Sequence, residues 1–133
     1  IPIQTQNKTL YSIHPVNENI IYCVGGFEAI IKTTNGGDVW TVISDTTVGD
    51  GSTYFTCFFV NENTGWVSGS GDKVLKTTNG GLSFDTTYLA PQAGFIRQMY
   101  FRNETEGIIT GESSTVLKTT NSGLDLNSVF ISV

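Results

Sequence analysis

The side chains able to do chemistry are few and spread along the chain. There are twelve Asp and Glu, two arginines (Arg97 and Arg102), one histidine (His14) and two cysteines (Cys23 and Cys57). Two carboxyl groups about 5–9.5 Å apart across a cleft can cleave a glycosidic bond. Among twelve acids some such pair is inevitable, so their presence selects no reaction. A zinc centre needs convergent His, Cys or carboxylate ligands, and one histidine without a cysteine cluster supplies no such set. The stretch Asp45-Thr46-Thr47-Val48-Gly49-Asp50-Gly51 has acids and glycines but lacks the alternating oxygen ligands of a calcium loop. The residues therefore predict no metal and no cofactor.

Net charge is −5, and no cluster of Lys or Arg occurs. A phosphate-tracking surface, and with it a nucleic-acid partner, is not expected. No apolar run approaches the roughly 18 residues of a membrane-spanning helix. The chain opens on Ile1 rather than Met, which predicts a processed protein or an excised piece.

What organises these scattered groups is repetition. Lys32-Thr33-Thr34-Asn35-Gly36-Gly37 returns as Lys76-Thr77-Thr78-Asn79-Gly80-Gly81 and again as Lys118-Thr119-Thr120-Asn121-Ser122-Gly123, with lysine spacings of 44 and 42. Asn17-Glu18, Asn61-Glu62 and Asn103-Glu104 each begin 15 residues before their lysine, and Gly25, Gly69 and Gly111 lie 7 before it. A period of about 40–45 residues is that of one four-stranded propeller blade.

Each copy divides into four short β-branched or aromatic segments bounded by Gly, Asn, Asp or Ser. The first gives strands at Thr9–His14, Ile20–Val24, Ala29–Thr33 and Trp40–Ser44. The second gives Thr53–Val60, Gly65–Ser68, Lys73–Thr77 and Ser83–Leu89, and the third Phe95–Arg102, Gly107–Thr110, Thr115–Thr119 and Leu126–Val133. The predicted class is all-β: three four-stranded antiparallel blades, about 7–44, 52–89 and 94–133, in one partial propeller domain over 1–133.

The repeated turns resemble the Asp-box (BNR) motif, Ser/Thr-x-Asp/Asn-x-Gly-x-Thr/Ser-Trp/Phe. Thr33, Asn35, Gly37 and Trp40 match it in the first blade, and Thr77, Asn79, Gly81, Ser83 and Phe84 in the second. Thr119, Asn121 and Gly123 match in the third, where Leu126 replaces the aromatic, so that turn should be weaker by roughly 1 kcal/mol or more. These residues suit a turn: Asn accepts backbone N–H bonds two residues on, Gly takes positive φ, and the aromatic plugs the hairpin from beneath. Their expected role is structural.

The Lys-Thr-Thr-Asn-Gly-Gly wording is similar to the photosystem II stability and assembly factor family. Related repeats occur in xyloglucanases, sortilin-type receptors and secreted bacterial proteins. That resemblance implies a protein-interaction or assembly scaffold without a cofactor, at a secreted, periplasmic or cell-surface location. The alternative is a carbohydrate-binding or glycoside-hydrolase-related module, in which Tyr54, Tyr88 and Phe95 stack on sugar rings. Sialidases share the Asp-box, but their arginine clamp needs three arginines and this chain has two. Ligands of such propellers sit on the face made by the loops between blades and the loops joining second and third strands. The resemblance thereby assigns Glu28, Asp45, Asp50, Asp72, Tyr88, Arg97 and Glu112 to the ligand-binding face, with no catalytic residue among them. Gln92 falls on the same face.

Alignment of the copies sets His14 beside Phe58 and Tyr100, which predicts a packed or channel-lining ring. Cys23 aligns with Val67 and Ile109, and Cys57 with Ile13 and Met99, which predicts buried free thiols. Three blades leave two flanks open, and a propeller protects its edges by closing on itself. The expected remedies are a homodimer closing a six-bladed ring, latched by Ile1–Gln6, or membership of a longer propeller.

Overall fold

The computed structural model describes residues 7–43, 51–90 and 94–129. Among them the chain forms twelve strands and no helix. The first sheet holds β1 (Leu10–Pro15), β2 (Ile21–Gly25), β3 (Ile30–Thr33) and β4 (Trp40–Val42). The second holds β5 (Tyr54–Phe59), β6 (Gly65–Gly69), β7 (Lys73–Thr77) and β8 (Asp85–Leu89). The third holds β9 (Ile96–Phe101), β10 (Gly107–Gly111), β11 (Val116–Thr119) and β12 (Asn127–Ser128). Each sheet is an antiparallel meander in chain order, as the repeat predicts. Asp45, Asp50, Gln92 and the Ile1–Gln6 segment lie outside the described residues.

Both repeated turn markers have a mechanical role. Asn17 Oδ1 accepts the N–H groups of Asn19 and Ile20 at 2.9 and 2.8 Å, closing the β1–β2 hairpin. Asn61 and Asn103 repeat this with the same pair of distances. In the Asp-box the buried threonine hydroxyl is the hub. Thr77 Oγ1 accepts from Asn79 N at 3.3 Å and Gly81 N at 2.9 Å, and donates to Asn79 Oδ1 at 2.9 Å. Asn79 Oδ1 in turn accepts from Ser83 N, four residues on, at 3.0 Å. The expected bond two residues on is thus made by threonine, while asparagine spans four.

The Thr33 and Thr119 turns carry the same set, including Val39 N and Asp125 N on their asparagines. Leu126 is buried where the others place an aromatic, so its substitution changes packing and leaves the turn geometry intact. Thr77→Val should cost about 1–3 kcal/mol, because it leaves buried N–H groups unpaired at nearly constant volume; chemical denaturation measures it.

Adjacent sheets meet through a seam built from five repeated parts. Tyr22 stacks on Phe59 with ring centroids 3.6 Å apart and 4° between planes, and Trp66 stacks on Phe101 at 3.5 Å and 5°. Behind each phenylalanine lies a glycine, Gly65 or Gly107, where any Cβ would strike the ring. The stacked ring donates to the Asp-box of the next blade: Tyr22 Oη to Gly80 O at 3.1 Å, Trp66 Nε1 to Ser122 O at 2.9 Å. The repeated lysine covers the ring, Lys32 Nζ lying 5.1 Å from the Tyr22 centroid and Lys76 Nζ 5.7 Å from that of Trp66. Two apolar clusters fill the seams, one around Tyr22, Val24, Ile30, Phe59 and Leu75, the other around Trp66, Ile96, Met99 and Phe101.

The outer flanks lack both halves of that seam. The stacking position of the third blade is Ile108, and the socket of the first blade is Pro15 with Ile21 in place of a phenylalanine with glycine. Leu10 and Ile13 are 43% and 63% exposed on the first flank. Their counterparts Tyr54, Ile96, Cys57 and Met99 are buried in the seams. On the third flank Tyr100, Arg102, Glu106, Ile108 and Lys118 line an open hollow of about 240 Å3, and Arg102 pairs with Glu106.

Candidate functional site

Each innermost strand carries a bulge at the same place. The register of β1 on β2 slips between Leu10 and Ser12, that of β5 on β6 between Tyr54 and Thr56, and Ile96 and Gln98 face consecutive residues of β10. The extra residues are Tyr11, Phe55 and Arg97. A bulge re-aims the side chain it adds, and here the three meet across blades. Tyr11 and Phe55 lie edge to face at 5.2 Å, and the Arg97 guanidinium sits over Phe55 at 4.8 Å. Phe95, just before β9, covers the same guanidinium at 5.5 Å and lies 5.9 Å from Phe55. Glu112 holds Arg97 from the β10–β11 turn at 3.0 Å.

Glycine permits this arrangement. Gly25 and Gly69 pair with Leu10 and Tyr54, and a Cβ on either would collide with the backbone of the bulged strand. The repeated glycine seven residues before the lysine is therefore a bulge partner.

The resulting row runs along the strand ends that meet the interblade loops. Tyr11 is 53% exposed, and Phe95 and Arg97 are also open. Stacked rings with a fixed cation suit a peptide: the rings take apolar side chains, and the outward N–H groups donate to carbonyl or carboxylate oxygens. The Arg97–Glu112 pair is exposed, so its value is positional rather than stabilising.

Of the residues assigned to this face from sequence, Arg97 and Glu112 are brought into contact. Glu28 and Asp72 occupy the β2–β3 and β6–β7 turns, where Glu28 N donates to Ser52 O at 2.7 Å and Asp72 O accepts from Ala90 N at 2.6 Å. The backbone of Tyr88 lies in β8 opposite Val74. Tyr54, expected to stack on sugars, is instead buried in the first seam, because the bulge turns Phe55 outward in its place. Tyr11 and Phe55 were missed, although they share with Arg97 the position 21 residues before the lysine.

His14 packs against Phe58 at 4.4 Å, the packed ring its alignment predicts, and its Nε2–H donates to Phe59 O at 3.0 Å. Burial holds its pKa below the ordinary 6.5, against the opposing pull of the Phe59 carbonyl. The unfolded chain then takes up the proton more readily than the native one. Stability contributed by neutral His14 is complete above about pH 6.5 and is lost as pH falls toward the native value. The denaturant midpoint should drop as pH falls below about 6.5, and His14→Phe should remove that part of the dependence.

Cys23 and Cys57 are free and buried. Burial pushes both thiols up, Cys57 to about 12, so alkylation at neutral pH should require unfolding. Labelling of the native protein would contradict this. Among the described residues no group of three His, Cys, Asp or Glu is placed to hold a metal, and no helix is long and apolar enough to cross a membrane.

Consecutive four-stranded blades with Asp-box turns define a β-propeller protein of the BNR-repeat class. The chain belongs more particularly to the family described as photosynthesis system II assembly factor YCF48, whose family model matches residues 1–95. No curated protein shows significant sequence similarity to it. Among solved structures it is similar to YCF48 bound to D1 peptide, at 23% identity and a TM-score of 0.78, over 91% of this chain and 39% of that one. It is also similar to YCF48 from Cyanidioschyzon merolae, at 20% identity and a TM-score of 0.81, over 96% and 41%. A more distant likeness is to an ancestral GH74 enzyme, at 18% and 0.67, over 90% and 18%. At these identities the likeness is one of fold. This chain spans about two fifths of the YCF48 structures it matches.

Proposed function

We propose that this chain is a non-catalytic protein-interaction module that takes a peptide segment of its partner across the loop face. The observation that carries the reading is the row of bulge residues, in which Arg97 lies between Phe55 and Phe95 and is pinned by Glu112. Membership of the assembly-factor family supports it, as does the structure of a YCF48 with a D1 peptide bound. The packing of His14 between aromatic rings favours a structural over a catalytic use of the one imidazole. A labelled D1 peptide, followed by fluorescence anisotropy, should bind saturably, and Arg97→Ala should weaken it about tenfold or more. No binding by the wild-type chain, or saccharide binding on a glycan array in its place, contradicts the proposal.

The open flanks of the first and third blades call for further blades. A second copy would supply three and close a six-bladed ring through aliphatic contacts of Ile108 with Pro15 and Ile21. Additional repeats of a longer chain would do the same in one molecule. Light scattering separates the two, a particle of twice the 14.4 kDa chain mass marking the homodimer. The resemblance of the repeats to those of secreted bacterial proteins is the ground for proposing a secreted, periplasmic or cell-surface location, which fractionation of the source cells tests.

A further inference from the structure

The turn between second and third strands holds two residues in the left-handed region in the first and third blades and one, Gly71, in the second, and the blades fill it very differently. The third blade uses Ser113 and Ser114, with φ of 53° and 59°, and the second begins with Gly71 at 74°. The first uses Phe27 and Glu28, at 50° and 58°. For a bulky side chain that conformation is strained, whereas Asn or Gly adopts it readily. The Phe27 ring recovers little by burial, being 68% exposed. The backbone is nevertheless held firmly in place: Lys8 Nζ donates to Phe27 O at 2.8 Å, Glu28 N to Ser52 O at 2.7 Å, and Gly26 N to Thr9 O at 2.9 Å. The last bond ties the turn to the residues leading into β1, two positions before Tyr11.

Strain and exposure both oppose phenylalanine here, so folding gives no reason for it. Residues kept in such conformations cluster at ligand contacts. The Gly26–Thr9 bond places this exposed ring in a turn tied to the strand that carries Tyr11, the first-blade member of the row, and Lys8 is held at the same turn. We propose that Phe27 is an apolar anchor of the loop-face site, receiving a hydrophobic side chain of the bound peptide while Arg97 holds an oxygen further along it. This rests on the peptide-binding reading above.

Phe27→Asn provides the test, because asparagine suits the turn and removes the ring. Its unfolding midpoint should rise above that of the wild type, and its affinity for the labelled D1 peptide should fall about tenfold. Phe27→Leu should retain most of the affinity. Wild-type binding that Phe27→Asn leaves unchanged overturns the anchor while sparing the peptide reading. A lowered midpoint in Phe27→Asn also overturns it, since the ring would then be structural. Absence of wild-type binding removes the peptide reading, and the anchor falls with it.

Discussion

Trp66→Ala should lower stability by about 3–5 kcal/mol, the usual range for emptying a fully buried aromatic site. Several losses coincide at this position. The indole is completely buried, stacks on Phe101 at 3.5 Å, and donates from Nε1 to Ser122 O at 2.9 Å. Alanine leaves a cavity beside Phe101 and Gly107, strips the Ser122 carbonyl of its donor, and removes the ring under Lys76. Trp66→Phe keeps most of the packing and loses the hydrogen bond, so it should cost about 1–2 kcal/mol. Urea denaturation followed by circular dichroism measures both variants. Equal midpoints for Trp66→Ala and wild type would mean that the second and third blades do not depend on this seam.

The second large effect separates two adjacent glycines. Gly25→Ala should destabilise by about 3 kcal/mol or more, because its Cβ would run into backbone atoms of Thr9 and Leu10 that cannot swing aside. Gly26→Ala should change stability by less than about 1 kcal/mol, since its Cβ would meet only Thr9 O at 3.9 Å and its φ is not positive. The Gly25 variant should also weaken peptide binding, because the bulge it disrupts aims Tyr11 into the row. Paired melts of the two variants decide the matter. Comparable losses at both would mean that the repeated glycine answers to some constraint other than the bulge.

Much of this molecule can be read without coordinates, for a local reason. A strand of four to six residues between Asn and Gly turns is specified by its own neighbours, and repetition in threefold copy removes the ambiguity of any one segment. The Asp-box threonines and asparagines were visible on the same ground. A bulge is different, because an extra residue exists only by comparison with the partner strand. Tyr11, Phe55 and Arg97 share a phase but no common chemical type, so they form no motif, and the sequence alone points to Tyr54 rather than Phe55 as the outward aromatic. The seam was hidden likewise: Tyr22 and Trp66 are aligned aromatics, but their stacking on Phe59 and Phe101 depends on glycines in another strand. Phe27-Glu28 carries none of the Asn-Gly chemistry that marks a left-handed pair in sequence.

In the proposed function a peptide lies across the three bulges, where the innermost strands meet the interblade loops. Hydrogen exchange of the backbone, with and without saturating D1 peptide, tests it most directly. Protection should rise at residues 9–12, 53–56 and 95–98 and in the turns carrying Phe27 and Glu112. The Asp-box turns at 33–37, 77–81 and 119–123 should exchange as before. Protection confined to those turns, or spread along the outer strands β4, β8 and β12, would contradict the account.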